Sequence, residues 1–206
     1  MNRQTKPRGW LAETERIDHA VYRAVATTSS PVLDRTMRHL SRAADHSKLS
    51  IAAGALLAAT GGAAGRRAAA SGLGSVGVTS AVVNLIVKPL GRRRRPDRTA
   101  GAVPRTRRVQ MPASRSFPSG HAAAAVAFAA GVGQVLPAAG VPLHGLAALV
   151  AYSRVHTGVH YPGDVIAGAL IGAVIADHTS AAIASRLPAG ETRSRRSDRV
   201  AVRSDT

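Results

Sequence analysis

Five apolar stretches constrain this chain more than any other feature of its sequence. They carry at most one charged residue each and are residues 49–65, 68–87, 122–139, 141–152 and 165–185. A helix needs about 17–25 residues to cross the hydrocarbon core of a bilayer, and most of these stretches reach that length. Ala and Gly dominate them, and such small residues permit close packing between membrane helices. The sequence therefore predicts an all-α, membrane-embedded bundle with about five transmembrane helices rather than the buried helices of a soluble protein.

The apolar stretches divide the chain into three parts. Residues 1–46 are predicted to be a basic N-terminal segment with amphipathic helices, in which apolar residues such as Ile17 and Val21 recur at helical spacing and Ser30-Pro31 begins a helix. These helices fit either a membrane surface or ordinary packing against the protein. Residues 47–186 form the predicted transmembrane domain, within which Arg66-Arg67 separates the first two spans. Residues 187–206 are predicted to be a disordered, charged tail.

The net charge of +17, from 28 Lys and Arg against 11 Asp and Glu, at first suggests nucleic-acid binding. Aromatic residues make up only 3% of the chain and offer little surface for stacking bases, so no nucleic-acid partner is expected. The arginines at 92–94 are expected to attract anionic head groups or to flank spans. The chain has no cysteine, which excludes disulfides, cysteine-ligated metals and thiol catalysis.

Two short polar segments at the edges of apolar stretches are the first candidates for a functional site, because polar groups at membrane depth are costly. One holds Lys88 and Arg95, and taken alone it fits a basic membrane anchor better than a functional site. The other, Pro118-Ser119-Gly120-His121, directly precedes an apolar run. Ser119 is a predicted N-cap, and the free N–H groups at such a helix start bind anions such as phosphate. His121 would then lie in the first turn, although alone it equally fits a surface histidine.

A third segment runs from Ser153-Arg154 through His160 to Asp164. Asp164 follows His160 by four residues, and either a helix or a turn at Pro162-Gly163 would bring the two side chains close. A carboxylate beside one ring nitrogen fixes the histidine tautomer and leaves the other nitrogen as a nucleophile or base. Taken alone, His160 equally fits a packed core histidine.

Together the segments read Lys-x6-Arg-Pro, Pro-Ser-Gly-His and Ser-Arg-x5-His-x3-Asp, in that order. This ordered set resembles the type 2 phosphatidic acid phosphatase (PAP2) superfamily, the membrane relatives of bacterial acid phosphatases and vanadium haloperoxidases. The motifs span residues 88–164, the helical surroundings extend the resemblance over residues 15–185, and every consensus position is present. The resemblance implies a PAP2/haloperoxidase-like helical fold.

The resemblance also implies a role for each motif residue. The implied catalytic residues are His160, which attacks phosphorus, His121, which protonates the leaving oxygen, and Asp164, which orients His160. The implied phosphate ligands are Lys88, Arg95, Ser119, Gly120 and Arg154. Three cations around a phosphoryl group stabilise the charge that spreads in the transition state, so no metal or other cofactor is expected. His156 is interpreted as an accessory or structural residue.

The expected function is that of a metal-independent lipid phosphatase in a multi-pass bacterial cell membrane, acting through a phosphohistidine. The first expectation for the substrate is a polyprenyl (undecaprenyl or decaprenyl) diphosphate or phosphate-linked carrier. Phosphatidic acid and phosphatidylglycerol phosphate are the alternatives. A non-enzymatic basic membrane protein that binds anionic lipid or nucleic acid is the competing class, and haloperoxidase chemistry is a third.

The side of the membrane that the site faces stays open, as does the oligomeric state. The distribution of basic residues favours a cytoplasmic site by the positive-inside rule. Relatives that recycle lipid carrier diphosphates usually face outward.

Overall fold

The computed structural model describes residues 9–28, 30–100 and 103–186, and its regular elements over these segments are all helical. An all-α fold is therefore confirmed. The predicted disordered tail, residues 187–206, lies outside the described residues.

Two N-terminal helices, α1 (Gly9–Thr27) and α2 (Pro31–Ala43), precede the bundle. Ser30 caps α2 as predicted, because its side chain accepts a hydrogen bond from the backbone N–H of Leu33 at 3.5 Å. The buried face of α1 carries Asp18, Tyr22 and Ala26. The apolar stripe predicted from the sequence lies on another face, where Ile17 and Val21 are 57% and 44% exposed.

The first two apolar stretches form a helical hairpin. A short 3-10 turn (Asp45–Ser47) leads into α3 (Lys48–Thr60), and α4 (Gly62–Ala81) returns. The helix then continues through a π-helical turn (Val82–Val87) into the short α5 (Lys88–Leu90). A π-helical turn is rare and is often found at functional sites.

The predicted break at Arg66-Arg67 is wrong, since both residues lie inside α4. The chain turns earlier, at Gly61 and Gly62, where Gly62 adopts the left-handed φ of +57° that glycine tolerates without a steric penalty. Two arginines have good helix propensity, whereas the Gly-Gly pair does not, so the backbone turns at the glycines.

The remaining stretches form α6 (Gly120–Val135), α7 (Pro137–His156) and α8 (Pro162–Arg186). The break between α6 and α7 falls at Leu136, and Pro137 occupies the first turn of α7. All three motif segments lie where helices begin or end: after the π-helical turn, before α6, and between α7 and α8.

Close backbone contacts through glycine hold α6 at the centre of the bundle, where it packs against α4, α7 and α8. A Cβ atom placed on Gly131 of α6 would lie 2.8 Å from the backbone oxygen of Ser71 in α4. One placed on Gly168 of α8 would lie 2.4 Å from the backbone oxygen of Ser119. The second contact brings the first turns of α6 and α8 together, and both turns carry motif residues.

Within the part of the chain that the structure describes, two helices are long and apolar enough to cross a membrane, Gly62–Leu90 and Pro162–Ser185, with mean hydropathy of 1.6 and 1.5. Helices α3 and α6 contain 13 and 16 residues, so at 1.5 Å per residue they extend only about 20 and 24 Å. The hydrocarbon core is about 30 Å thick. The number of five spans therefore stays a prediction.

Candidate active site

His160 lies at the centre of the candidate site, in the loop between α7 and α8, and is 2% exposed. Its Nε2 atom is 3.1 Å from Nη1 of Arg95. A guanidinium can only donate, so Nε2 is the ring nitrogen that carries the lone pair. Burial, with further contributions from the Arg95 and Arg154 cations, lowers the pKa of His160 to about 4. The imidazole is therefore neutral at pH 7, as a nitrogen nucleophile requires.

Asp164, in the first turn of α8, lies on the other side of the His160 ring. Its Oδ2 atom is 3.6 Å from Nδ1 of His160, which is longer than a hydrogen bond. The same oxygen accepts a hydrogen bond of 2.5 Å from the Ser116 hydroxyl and one of 3.0 Å from the Tyr161 backbone N–H. The carboxylate is thus fixed beside Nδ1, where its charge favours a proton on that nitrogen.

Arg93 completes the surroundings of Asp164, and the sequence analysis missed its role. Its guanidinium is 3.1 Å from Oδ1 of Asp164 and 2.5 Å from Oδ2 of Asp18 in α1, and it stacks over the Tyr161 ring. Asp18 also accepts a 2.7 Å hydrogen bond from the backbone N–H of Gly163. The expectation that Arg93 would attract lipid head groups is therefore wrong, because an ion pair on each side occupies it. Nothing in the run of four arginines distinguishes Arg93 from its neighbours.

Two of the predicted phosphate ligands, Lys88 and Arg95, meet at Ser114. The Ser114 hydroxyl lies 3.4 Å from Nζ of Lys88 and 3.2 Å from Nη2 of Arg95. Arg95 is held further by backbone oxygens, with Nε at 2.8 Å from Ser114 and Nη1 at 3.0 Å from Val159. The two cations that the sequence places seven residues apart thus share one wall of the site.

The third predicted cation, Arg154, is buried near the end of α7. Its Nη1 atom donates to the Ser41 hydroxyl at 2.6 Å and lies 3.7 Å from Oδ1 of Asp45. The same Asp45 oxygen is 2.9 Å from Nε2 of His121. Asp45 therefore links Arg154 to the proposed general acid. Sequence reasoning missed Asp45, although an acidic residue just before an apolar stretch is a recognisable signal.

The start of α6 supplies the predicted anion-binding groups. Ser119 caps this helix through the backbone N–H of Ala122 at 3.4 Å, and its own N–H donates to the backbone oxygen of Asp164 at 2.8 Å. A Cβ on Gly120 would lie 3.5 Å from Nζ of Lys88, so the backbone here faces the ammonium group. Free N–H groups at a helix start attract anions.

The eight predicted site residues thus converge at one end of the bundle, and their catalytic roles stay predictions. His156 lies apart from them, with Nε2 at 2.9 Å from Oδ1 of Asp34, which agrees with a structural residue. No metal-binding group of three or more His, Asp or Glu residues occurs within the described segments. Chemistry without a metal stays a prediction.

Residues 68–187 match the PAP2 superfamily, which is more than half of the chain. The chain belongs to the PAP2 superfamily. Curated relatives include the decaprenylphosphoryl-5-phosphoribose phosphatase of two Mycobacterium tuberculosis strains, CDC 1551 / Oshkosh and ATCC 25618 / H37Rv. Each is 42% identical over 94 residues, which cover 45% of this chain and 49% of the relative. The PAP2 chain thus spans about half the length of the curated relatives it matches.

Solved structures show the same PAP2 fold. The transmembrane PAP2-type phosphatidylglycerolphosphate phosphatase of Bacillus subtilis aligns with a TM-score of 0.65 and 23% identity, covering 86% of this chain and 89% of the other. LpxE of Aquifex aeolicus aligns with a TM-score of 0.61 and 23% identity, covering 78% and 92%. At this identity the likeness establishes the fold.

Proposed function

We propose that this protein is an integral membrane phosphatase that hydrolyses the phosphate group of a polyprenyl-linked lipid through a phosphohistidine. One observation carries the proposal: His160 is buried, and its Nε2 atom lies 3.1 Å from Nη1 of Arg95, so that this nitrogen carries the lone pair. Lys88 shares the Ser114 hydroxyl with Arg95, and Arg154 lies 3.7 Å from the Asp45 oxygen that contacts His121. Membership of the PAP2 superfamily supports this reading of the cluster.

In the first step Nε2 of His160 attacks phosphorus, and the substrate phosphate displaces the guanidinium contact at that nitrogen. The N–P bond forms as the P–O bond to the leaving group breaks, and the leaving oxygen takes its proton from His121. Arg95, Arg154 and Lys88 offset the charge on the equatorial phosphoryl oxygens, which is the main catalytic requirement of phosphoryl transfer. Asp164 stabilises the positive charge that develops on the His160 ring.

In the second step water attacks phosphorus, and the N–P bond breaks to restore neutral His160. His121, which lost its proton in the first step, takes a proton from this water. A positioned general acid or base typically contributes about 10²–10⁴-fold to such a rate. Asp45, at 2.9 Å from His121, is a positioning residue that stabilises the protonated imidazole.

Exposed apolar surface supports a membrane location. Ile166, Leu170 and Val174 follow one another at four-residue spacing on α8 and are 60%, 63% and 56% exposed. A continuous apolar stripe of this kind is costly in water, and lipid tails would cover it. We propose that α3, the helix from α4 to α5, α6, α7 and α8 all span, with the bilayer adapting to the shorter α3 and α6.

A lipid substrate also agrees with the space beside the site. A cavity next to His121 shares Leu49, Ser50 and Val150 with a second, smaller cavity. That cavity is apolar and reaches Phe128 between α3, α6 and α7. Among lipids, the name of the curated relatives favours a polyprenyl-linked phosphate over a glycerolipid. A polyprenyl diphosphate is the second candidate substrate.

The test compares wild type, His160→Ala and a matched control, His178→Ala, in detergent micelles. The His178 side chain is exposed and bonds only to the backbone of its own helix, through Val174. Loss of the nucleophile should lower phosphate release by at least about 10³-fold, a loss of the size seen when catalytic nucleophiles are removed, while the control keeps full activity. Vanadate, which mimics pentacoordinate phosphorus, should inhibit the wild type. Near-normal turnover by His160→Ala would refute the mechanism.

The proposed topology has its own test, which uses the absence of cysteine from the natural chain. The Thr99→Cys variant carries its cysteine in the loop before α6, on the side of the active site. The Thr60→Cys variant carries it at the opposite end of the bundle. A membrane-impermeant maleimide should label only one of the two variants in intact cells, and the labelled one identifies the outer face. Labelling of both variants in sealed cells would contradict a membrane crossing by the helix from α4 to α5, which separates residues 60 and 99.

A further inference from the structure

A cavity of about 200 Å³ lies directly beside the candidate active site, between the Asp45–Ser47 turn, the π-helical turn and the start of α6. His121, Lys88 and Gly120 line it, whereas His160 and Arg95 lie outside its lining. In an in-line displacement the leaving group departs on the side opposite the nucleophile. The cavity therefore occupies the leaving-group side of the proposed reaction.

Three serine hydroxyls in this cavity have no partner. Ser47, Ser50 and Ser80 all line it, and their hydroxyls form no hydrogen bond with any described residue. Every other serine between residues 30 and 185 has its hydroxyl in a hydrogen bond. None of the three oxygens is sealed off inside the protein, so all three are open to the cavity and available to a ligand with several hydrogen-bonding groups.

The turn that carries Ser47 adopts an unfavourable backbone conformation. His46 and Ser47 have φ values of 57° and 56°, which places two consecutive non-glycine residues in the left-handed region. Single residues of this kind are uncommon, and they concentrate at ligand-binding sites where the surrounding structure enforces them. Here the conformation places both residues at the wall of the cavity, which Lys88 also lines.

The charge of the cavity distinguishes between classes of leaving group. Lys88 is the single permanently charged side chain in its lining, and the transferred phosphate uses the same ammonium group. A second phosphate in this space would be left without a cation of its own, which is costly for a buried charge. A neutral group with several hydroxyls would instead find matching partners in the serines and in Asn84. At about 30 Å³ per water molecule, the volume equals roughly seven waters, which suits glycerol or one sugar ring.

We infer that this cavity recognises a neutral, hydroxylated leaving group, so that the substrate is the phosphomonoester of a sugar or glycerol unit carried by the lipid rather than a diphosphate. This inference rests on the proposed phosphatase function. When the P–O bond breaks, the oxygen of that unit takes the proton of His121 and stays in the cavity as a hydroxyl. Ser47, Ser50 and Ser80 determine specificity and do not contact the phosphorus.

The experiment measures kcat/KM for the full chain in micelles on four substrates. Two have hydroxylated leaving groups, a polyprenyl-phosphoryl-pentose phosphate and phosphatidylglycerol phosphate, and they separate a sugar from a glycerol unit. The third is a polyprenyl diphosphate, and p-nitrophenyl phosphate, whose leaving group has no further hydroxyl, is the reference. The variants are Ser80→Ala and Ser50→Ala, with Ser185→Ala as the control because its hydroxyl bonds only within α8.

Each cavity variant should lower kcat/KM on the preferred hydroxylated substrate, relative to p-nitrophenyl phosphate, by about 3–10-fold, as the loss of one hydrogen bond implies. The control should leave that ratio unchanged. Ser47→Gly should lower the same ratio and also raise the melting temperature, because glycine accepts the left-handed backbone without strain.

Equal losses on all substrates, or no change in the ratio, would overturn the inference while leaving the phosphatase function intact. A preference of the wild type for the diphosphate would overturn it too. Wild-type protein that releases phosphate from none of the four substrates would refute the proposed function itself.

Discussion

Replacing Gly168 by alanine should impair the proposed reaction more than it impairs the fold. The new Cβ would lie 2.4 Å from the backbone oxygen of Ser119, whereas such contacts are essentially never shorter than 3.0 Å. Helix α8 must therefore retreat by at least 3.0 − 2.4 = 0.6 Å at this point. The 2.8 Å hydrogen bond from the Ser119 N–H to the backbone oxygen of Asp164 would then stretch to about 3.4 Å.

Two opposing effects determine the change in stability. Overpacking costs about 1–3 kcal/mol, and the higher helix propensity of alanine returns about 1 kcal/mol. The net loss of folding free energy is then only about 0–2 kcal/mol. A misplacement approaching 1 Å between catalytic groups can cost about 10²-fold in rate, so kcat is the more sensitive measurement. We expect a 10–100-fold decrease in kcat, on the order of the effect of such a misplacement.

The assay pairs phosphate release with thermal unfolding followed by circular dichroism. Gly77→Ala in α4 is the matched control, because its Cβ would have no atom within 4 Å. It should keep full activity and gain up to about 1 kcal/mol of stability. Gly172→Ala, whose Cβ would lie 2.2 Å from the backbone oxygen of Ala123, tests the same helix pair one turn further from the site. Full activity in Gly168→Ala would refute the argument that this contact positions Asp164.

Three further predictions concern pH and the charged groups around the site. Because burial lowers the pKa of His160 from 6.5 to about 4, the unfolded chain binds a proton between these pH values that the folded chain does not. The free energy of unfolding should therefore fall by up to about 3 kcal/mol as the pH drops through this range, and it should fall less in His160→Gln. Melting temperatures of both proteins at pH 7 and 4.5 check this. Asp45→Asn should lower kcat by about 10-fold or more on alkyl phosphates but less on p-nitrophenyl phosphate, whose leaving group needs little protonation; equal losses on both would show that Asp45 only stabilises the fold. Arg93→Gln should lower kcat by about 10-fold, because the loss of its ion pair disturbs the position of the buried Asp164. Arg94 is an exposed neighbour, so Arg94→Gln should leave kcat unchanged, and equal activities of the two variants would contradict the proposed role of Arg93.

The cluster around Arg93 explains how the N-terminal helices relate to the site. Asp18 of α1 contacts both Arg93 and the backbone of Gly163, at the start of the helix that carries Asp164. The face of α1 with Ile17 and Val21 stays exposed. Because the opposite, buried face of α1 contacts the site, the exposed face is free to lie on a membrane surface. Such a position, which the sequence alone leaves open beside ordinary packing, fits the structure.

The helices were largely predictable because their signals are local. Apolar stretches of membrane length, a serine cap with a following proline, and prolines at helix starts depend on neighbouring residues alone. The wrong prediction at Arg66-Arg67 concerns a local signal as well, because the Gly61-Gly62 pair and not the charged pair determines where the backbone turns. The motif residues could be named for a similar reason, because the spacing of Lys88, Arg95 and the histidines is a property of the chain.

Only the tertiary structure decided which residues that lie far apart in the sequence contact each other. Asp45 reaches His121 across 76 residues, and Arg93 reaches Asp164 across 71. No spacing rule connects such pairs, because helix packing through small residues such as Gly168 determines which surfaces meet. The three serines with free hydroxyls likewise line one cavity only when the Asp45–Ser47 turn, α3 and α4 come together. The sequence thus determined the helices and the chemistry of single residues, and packing determined which groups act together, because side chains interact over a few ångströms of space and not along the chain.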